Sequence, residues 1–162
     1  MANDKITVLV NAVGSSLISV GREVGLEVTL NKTEVTQGIK VNCVSVTSIV
    51  GIVGSGIRGT VSFMLDDSAF RAVVDTMSKA VTKPDTSDLM AMSVVSELSN
   101  MTCGRALIQS SLDGVYITPP QLISGSNIRN IQTQTEGVRC FTLPFTVQPS
   151  GTLYLILSFN AQ

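Results

Sequence analysis

No histidine and no tryptophan occur among these 162 residues, and charged side chains make up only 14% of them. Each shortage removes a class of function. Without histidine there is no Ser/His or Cys/His nucleophile pair, no imidazole acid–base chemistry and no ordinary catalytic zinc site. Any catalysis must rest on carboxylates, amides and hydroxyls. Aromatic residues are only 4%, too few to build platforms on which nucleic-acid bases stack. Eleven basic and twelve acidic side chains leave a net charge of −1 with no Lys/Arg cluster, which argues against a nucleic-acid partner. The three cysteines, Cys43, Cys103 and Cys140, follow neither zinc nor redox spacing. They read as free thiols in a reducing compartment. Long hydrophobic runs are missing too. Residues 6–20 come nearest to a membrane span, but Asn11, Ser15, Ser16 and Ser19 interrupt them. Asp4 beside Lys5 spoils the basic start of an export signal, and no small-residue cleavage site follows. The expectation is a cytoplasmic chain without membrane insertion.

What is present is apolar and patterned. Apolar residues reach 44%, and the length suits one domain, residues 1–162, with a sizeable core. Ile6, Leu9, Val10, Val13, Leu17 and Val20 have helical spacing, so residues 4–22 read as a helix ending near Gly21. Residues 27–35 alternate weakly, as an edge strand would. Residues 41–53 are β-rich, and after Gly54-Ser55-Gly56 the alternation resumes at Ile57, Val61, Phe63 and Leu65, which predicts a hairpin. Asp67 or Ser68 is expected to cap a short helix through Phe70, Val73, Val74 and Met77. A long helix, roughly 88–111, follows a polar connector. Pro119 and Pro120 hold residues 115–120 extended, and residues 124–136 read as a polar loop. Residues 141–147 and 153–159 alternate as strands around the turn Gln148-Pro149-Ser150-Gly151. This order predicts an α+β fold: an antiparallel β-sheet with flanking helices, made of two pseudo-repeated helix-plus-hairpin units.

Gly54-Ser55-Gly56-Ile57-Arg58-Gly59 spells G-x-G-x-x-G, but dinucleotide binding requires a helix to start there. The β-patterned Thr60-Val61-Ser62-Phe63 that follows makes it a hairpin turn instead. Asp66-Asp67 stands at a strand-to-helix junction, where capping is the expected role. The long helix is more informative. Ala91, Met92, Val94, Val95, Leu98 and Met101 spread over most of its circumference, so much of it is buried. Ser93, Glu97, Asn100 and Gly104 fall within about 60° of one another and form a narrow polar stripe. Spacing alone leaves two readings open, the solvated edge of an amphipathic helix or a site. Gly104 adds a hint, since a glycine inside a helix suggests close approach by something.

The run Ser93-Val-Val-Ser-Glu97-Leu-Ser-Asn100-Met-Thr-Cys-Gly104 resembles the signature of the CheC/CheX phosphatases: an Asp or Ser, Glu four residues on, Asn three further, then a companion glycine and a later proline. Pro119 or Pro120 supplies that proline, a few residues early. The hairpin at residues 54–65 and the strand at 151–159 are similar to the family as well, so the likeness spans nearly the whole chain. CheC-like members carry two such helices. Here the first helix reads Asn11-Ala-Val-Gly-Ser-Ser-Leu-Ile-Ser, without Glu-x-x-Asn, which is the CheX-like condition of one site. The resemblance implies a phosphatase acting on the aspartyl phosphate of a CheY-like receiver, with Glu97 and Asn100 catalytic and Ser93 and Gly104 in contact with the partner. It implies no cofactor of the chain's own, Mg²⁺ being brought by the receiver, and a homodimer. The alternative is a non-catalytic CheC-like module that binds a receiver or a flagellar switch protein.

Overall fold

The computed structural model of the chain describes residues 2–131 and 135–161. Helix α1 (Ala2–Val24) opens the chain, followed by short strands β1 (Val28–Leu30) and β2 (Thr36–Gln37) with a 3-10 turn at Lys32–Glu34 between them. Strands β3 (Val44–Gly54) and β4 (Ile57–Asp66) form the first long hairpin, leading into α2 (Asp67–Met77) and α3 (Leu89–Ser110). Strands β5 (Val115–Ile117), β6 (Gln121–Ile128), β7 (Val138–Val147) and β8 (Thr152–Ala161) complete it. All strands pair antiparallel in one curled sheet of order β1-β7-β8-β4-β3-β5, with β2 also on β7 and β6 also on β3.

Period-two alternation places Val46, Val50, Val61, Phe63, Leu155 and Leu157 on one face, where they join Leu9, Val13, Leu17, Phe70, Val95 and Leu98 of the helices in a continuous core. The other face carries only a small cluster around Val44, Met64, Cys140 and Ile156. No helix among the described residues is long and apolar enough to cross a membrane. The three cysteines are unpaired, and burial pushes the Cys103 thiol up to about 12, which leaves it inert as a nucleophile.

The Gly54 segment is the hairpin turn its β context demanded. Ser55 and Gly56 both take positive φ, 45° and 76°, and β4 follows directly, as in a two-residue turn of the primed type. Two expectations are corrected. The cap of α2 is neither Asp67 nor Ser68 but Asp66, the first carboxylate of the pair read as capping this junction, and its Oδ1 accepts from the Ala69 N–H at 2.8 Å. Its other oxygen accepts from the Thr152 N–H at 3.0 Å, so one carboxylate ties α2 to β8. The polar stretch read as a loop from residue 124 begins inside strand β6. It is an edge strand whose side chains mostly face solvent, so backbone pairing with β3 holds it without an apolar signature.

The sheet has an internal pseudo-two-fold. Val115 pairs with Gly54 as Val28 pairs with Val147, and Ile117 pairs with Ile52 as Leu30 pairs with Phe145. The two long helices also end alike. The Gly25 N–H donates to the Arg22 carbonyl and the Ser111 N–H to that of Ile108, both residues having positive φ. Helix α1 with β1–β4 is thus the counterpart of α3 with β5–β8, and α2 stands outside the repeat.

Candidate functional site

Helix α3 is capped by Asp88, whose Oδ1 accepts from the Met90 N–H at 2.8 Å, and stops where Ser111 turns left-handed. Ala91, Met92, Val95, Leu98, Cys103 and Ala106 fix its buried side. Ser93, Glu97 and Asn100 are exposed, and Gly104 is half-exposed. The stripe predicted from spacing therefore faces outward. A side chain at Gly104 would meet nothing within 4 Å, so none of the described residues accounts for the close approach expected there.

The exposed face of α3 forms one wall of a shallow groove of about 380 Å³, to which Ser96, Glu97 and Asn100 contribute. Ile117 at the end of β5 and Thr118, Pro119 and Pro120 in the step to β6 form the other wall. The structure thus brings both candidate prolines to the Glu/Asn pair. Ser93 sits one turn before Glu97 on the same stripe, and its hydroxyl is turned back to the Met90 carbonyl at 2.7 Å.

Thr118 was not singled out by sequence, and it anchors the second wall. Its N–H donates to the Gly51 carbonyl at 2.9 Å, and its Oγ1 accepts from the Gly51 N–H at 2.9 Å. A Cβ at Gly51 would lie 2.8 Å from that Oγ1, so this reciprocal pair needs glycine. A glycine in an otherwise β-branched run was its sequence signal, because such a glycine marks close approach of another chain segment.

Charge is sparse here. Arg105, the other charged residue of α3, makes a two-point ion pair with Glu23 of α1, at 2.8 and 2.6 Å, and also reaches Ser19 at 3.2 Å. The hydrogen bond from Arg105 holds the Glu23 carboxyl below its ordinary range. Glu97 is then the one uncompensated charge on α3. Among the described residues neither its carboxylate nor the Asn100 amide has a hydrogen-bond partner. One carboxylate and one amide, about 4.5 Å apart along the axis, are thus free to engage an incoming molecule. The amide can donate and accept at once, and the carboxylate accepts only.

Known proteins resemble this chain in sequence and in fold. The family described as chemotaxis phosphatase CheX matches residues 46–146, a span that includes α3 and both groove walls. The CheY-P phosphatase CheX of Thermotoga maritima is 30% identical over 156 residues, covering 94% of this chain and 96% of that protein. The chemotaxis protein CheX of Vibrio vulnificus, at 23% identity, superposes with a TM-score of 0.78 over 94% of this chain and 99% of its own. A chain of the CheX–CheY–BeF3–Mg²⁺ complex of Borrelia burgdorferi, 19% identical, gives 0.70 over 93% and 97%. By sequence match and by fold, the chain belongs to the CheX family of chemotaxis phosphatases.

Proposed function

We propose that this chain, acting as one domain, hydrolyses the aspartyl phosphate of a CheY-like receiver, with Glu97 and Asn100 as its catalytic pair. The observation that carries this reading is the pair itself: an unpartnered carboxylate and amide on an otherwise buried helix, exposed over a groove walled by Pro119 and Pro120. The substrate class is supported by the Thermotoga maritima relative, a CheY-P phosphatase, and by the Borrelia burgdorferi complex of CheX with CheY, BeF3 and Mg²⁺.

A receiver carries the phosphoryl group and a lysine, and the Mg²⁺ it holds supplies positive charge beside the phosphoryl oxygens. What remains is to place a water in line with the scissile bond. The Asn100 amide accepts a hydrogen bond from that water with its oxygen and donates to a phosphoryl oxygen with its nitrogen. The water oxygen bonds to phosphorus as the bond from phosphorus to the aspartyl oxygen breaks. The aspartate leaves as a carboxylate and the water proton passes to the released phosphate. Glu97 would be repelled by the phosphoryl group unless a cation stands between them, so it pairs with the receiver's lysine and fixes the docking angle. Ser93 and Gly104 lie against the partner, Gly104 leaving room for its backbone.

Phosphate release from a receiver charged with acetyl phosphate tests the reading, with binding to the beryllofluoride form measured alongside. Asn100→Ala is expected to bind while losing turnover, and Glu97→Ala to lose both. Wild-type turnover in Asn100→Ala would remove the mechanism. A protein that binds the receiver but never releases phosphate would establish a binding module. The protein is placed in the cytoplasm beside its receiver, which suits three unpaired thiols. It is also proposed to form a homodimer, since among the described residues β6 pairs only on its β3 side and leaves a sheet edge open. Light scattering should give about twice the chain mass of 17.1 kDa, and a monomer mass at micromolar concentration would overturn it.

A further inference from the structure

Ser99 lies on α3 between Glu97 and Asn100 but points the opposite way. It is fully buried, as is Ser48 on β3, and their hydroxyl oxygens are 2.7 Å apart. Ser99 Oγ also lies 2.9 Å from the Ser96 carbonyl, to which it gives its one proton. Its oxygen is then left to accept from the Ser48 hydroxyl. Among the described residues this is the one side-chain hydrogen bond that joins α3 to the sheet. The buried Thr102 hydroxyl, by contrast, is closed within the helix on the Leu98 carbonyl.

We propose that Ser48 and Ser99 are positioning residues, which set the rotation of α3 and thereby aim Asn100 and Glu97 into the groove. The inference rests on the phosphatase reading above and concerns how its site is held. Apolar burial is non-directional, and α3 is apolar around most of its circumference, so its rotation is weakly specified by packing alone. A hydroxyl pair is directional: turning the helix breaks the bond and leaves the buried Ser48 hydroxyl without its acceptor, while Ser99 keeps the Ser96 carbonyl. The leverage is large. A turn of roughly 10° carries a side-chain tip, roughly 6 Å from the axis, through about 1 Å. A displacement of that order can cost about a hundredfold in rate.

Two observations separate this from ordinary packing. The opposite wall is fixed to the same strand, through the Gly51–Thr118 pair three residues along β3. Residues 48–51 of one strand therefore reference both walls of the groove. The other half of the molecule provides the control. Counting from the matched helix ends and strand registers, Ser99 corresponds to Val13 and Ser48 to Phe141. Val13 is fully buried and Phe141 packs against the same core, so the matched pair of positions is apolar in the half that carries α1. Hydroxyls replace it in the half that carries Glu97 and Asn100.

The test uses Ser99→Ala, Ser48→Ala and the double variant, each assayed for kcat and KM on a receiver phosphorylated with acetyl phosphate, for binding to the beryllofluoride receiver, and for Tm. Ser99→Ala strands the buried Ser48 hydroxyl and can lower stability for that reason alone, whereas Ser48→Ala leaves the Ser99 hydroxyl on the Ser96 carbonyl. The double variant strands neither and is expected to recover Tm. Its kcat should nevertheless stay down tenfold or more, with KM and binding changed less than threefold. Wild-type kcat in the folded double variant would overturn the proposal, as would a loss confined to KM. Asn100→Ala run in parallel separates the two levels. Turnover lost in Asn100→Ala but kept in the double variant removes only this inference. Turnover kept in Asn100→Ala removes the catalytic reading and this inference with it.

Discussion

The two long helices occupy matched places in the fold and present opposite chemistry at matched positions. Glu97 of α3 corresponds to Asn11 of α1, and Asn100 to Gly14. Asn100 is exposed, whereas Gly14 is buried, with Leu143 3.5 Å from where a Cβ would stand. The strand partner of the following segment differs as well. Gly51 offers an N–H to Thr118, while its counterpart Pro144 accepts from the Asn31 N–H and has no N–H to give. Where α3 looks across at Pro119 and Pro120, α1 has Lys32 and Thr33 of a 3-10 turn. The duplicated architecture therefore supplies a helix over a sheet twice, and local side chains turn only one copy into a groove with an unpaired carboxylate and amide.

The largest expected effect tests that asymmetry directly. Removing both groups with Glu97→Ala and Asn100→Ala should lower receiver dephosphorylation a hundredfold or more. Asn11→Ala at the matched position on α1 should leave it within about twofold. Equal losses on both helices in a phosphate-release assay would dissolve the comparison. Next in size is Gly51→Ala, whose Cβ would meet Thr118 at 2.8 Å from Oγ1 and 3.0 Å from Cγ2. The Thr118–Pro120 wall must then shift. Turnover should fall roughly tenfold and stability by about 1–3 kcal/mol, the usual range for overpacking; urea titration and single-turnover kinetics read the two separately.

A graft should fail informatively. Asn11→Glu with Gly14→Asn writes Glu-x-x-Asn onto α1, but the new amide comes against Leu143 and Phe145. It should add no turnover and cost about 1–3 kcal/mol if its polar atoms find no partner. A doubled rate would mean that the pair alone makes a site, whatever walls surround it. The smallest effect concerns the ion pair that joins the two helices. The Glu23 carboxyl is held below its ordinary range by Arg105, so its contribution is present above the unfolded-state value and lost as pH falls through the lower, folded one. The Tm difference between wild type and Glu23→Gln should be small at pH 7 and vanish once pH has fallen below the folded-state value. A difference that persists in acid would show that the contact is not electrostatic.

The long hairpins were legible because one buried face imposes alternation, as at Ile57, Val61, Phe63 and Leu65. Strand β6 was not, since it buries little and its pairing is a backbone matter. Glu97 and Asn100 stood out as polar residues on an apolar helix. Their support did not. Ser99 looks like any helical serine until Ser48, 51 residues away, closes on it. Gly104 suggested a neighbour that the described residues do not provide. Chemistry that faces outward is visible in local pattern, whereas what holds it in place depends on long-range pairing.

The exchange of short strands across the pseudo-two-fold has a consequence for assembly of the chain. Each half lends its edge strands to the other's hairpin, so that Val28 waits for Val147 and Val44 for Ile128. Neither half can complete its own sheet as it leaves the ribosome, and such non-local closure slows folding. The halves are interlocked: fragments cut in the polar connector at residues 78–88 would be complementary rather than autonomous. The groove beside Glu97 and Asn100 comes late in this order, because its α3 wall and its proline wall both belong to the second half while the strand that registers them belongs to the first.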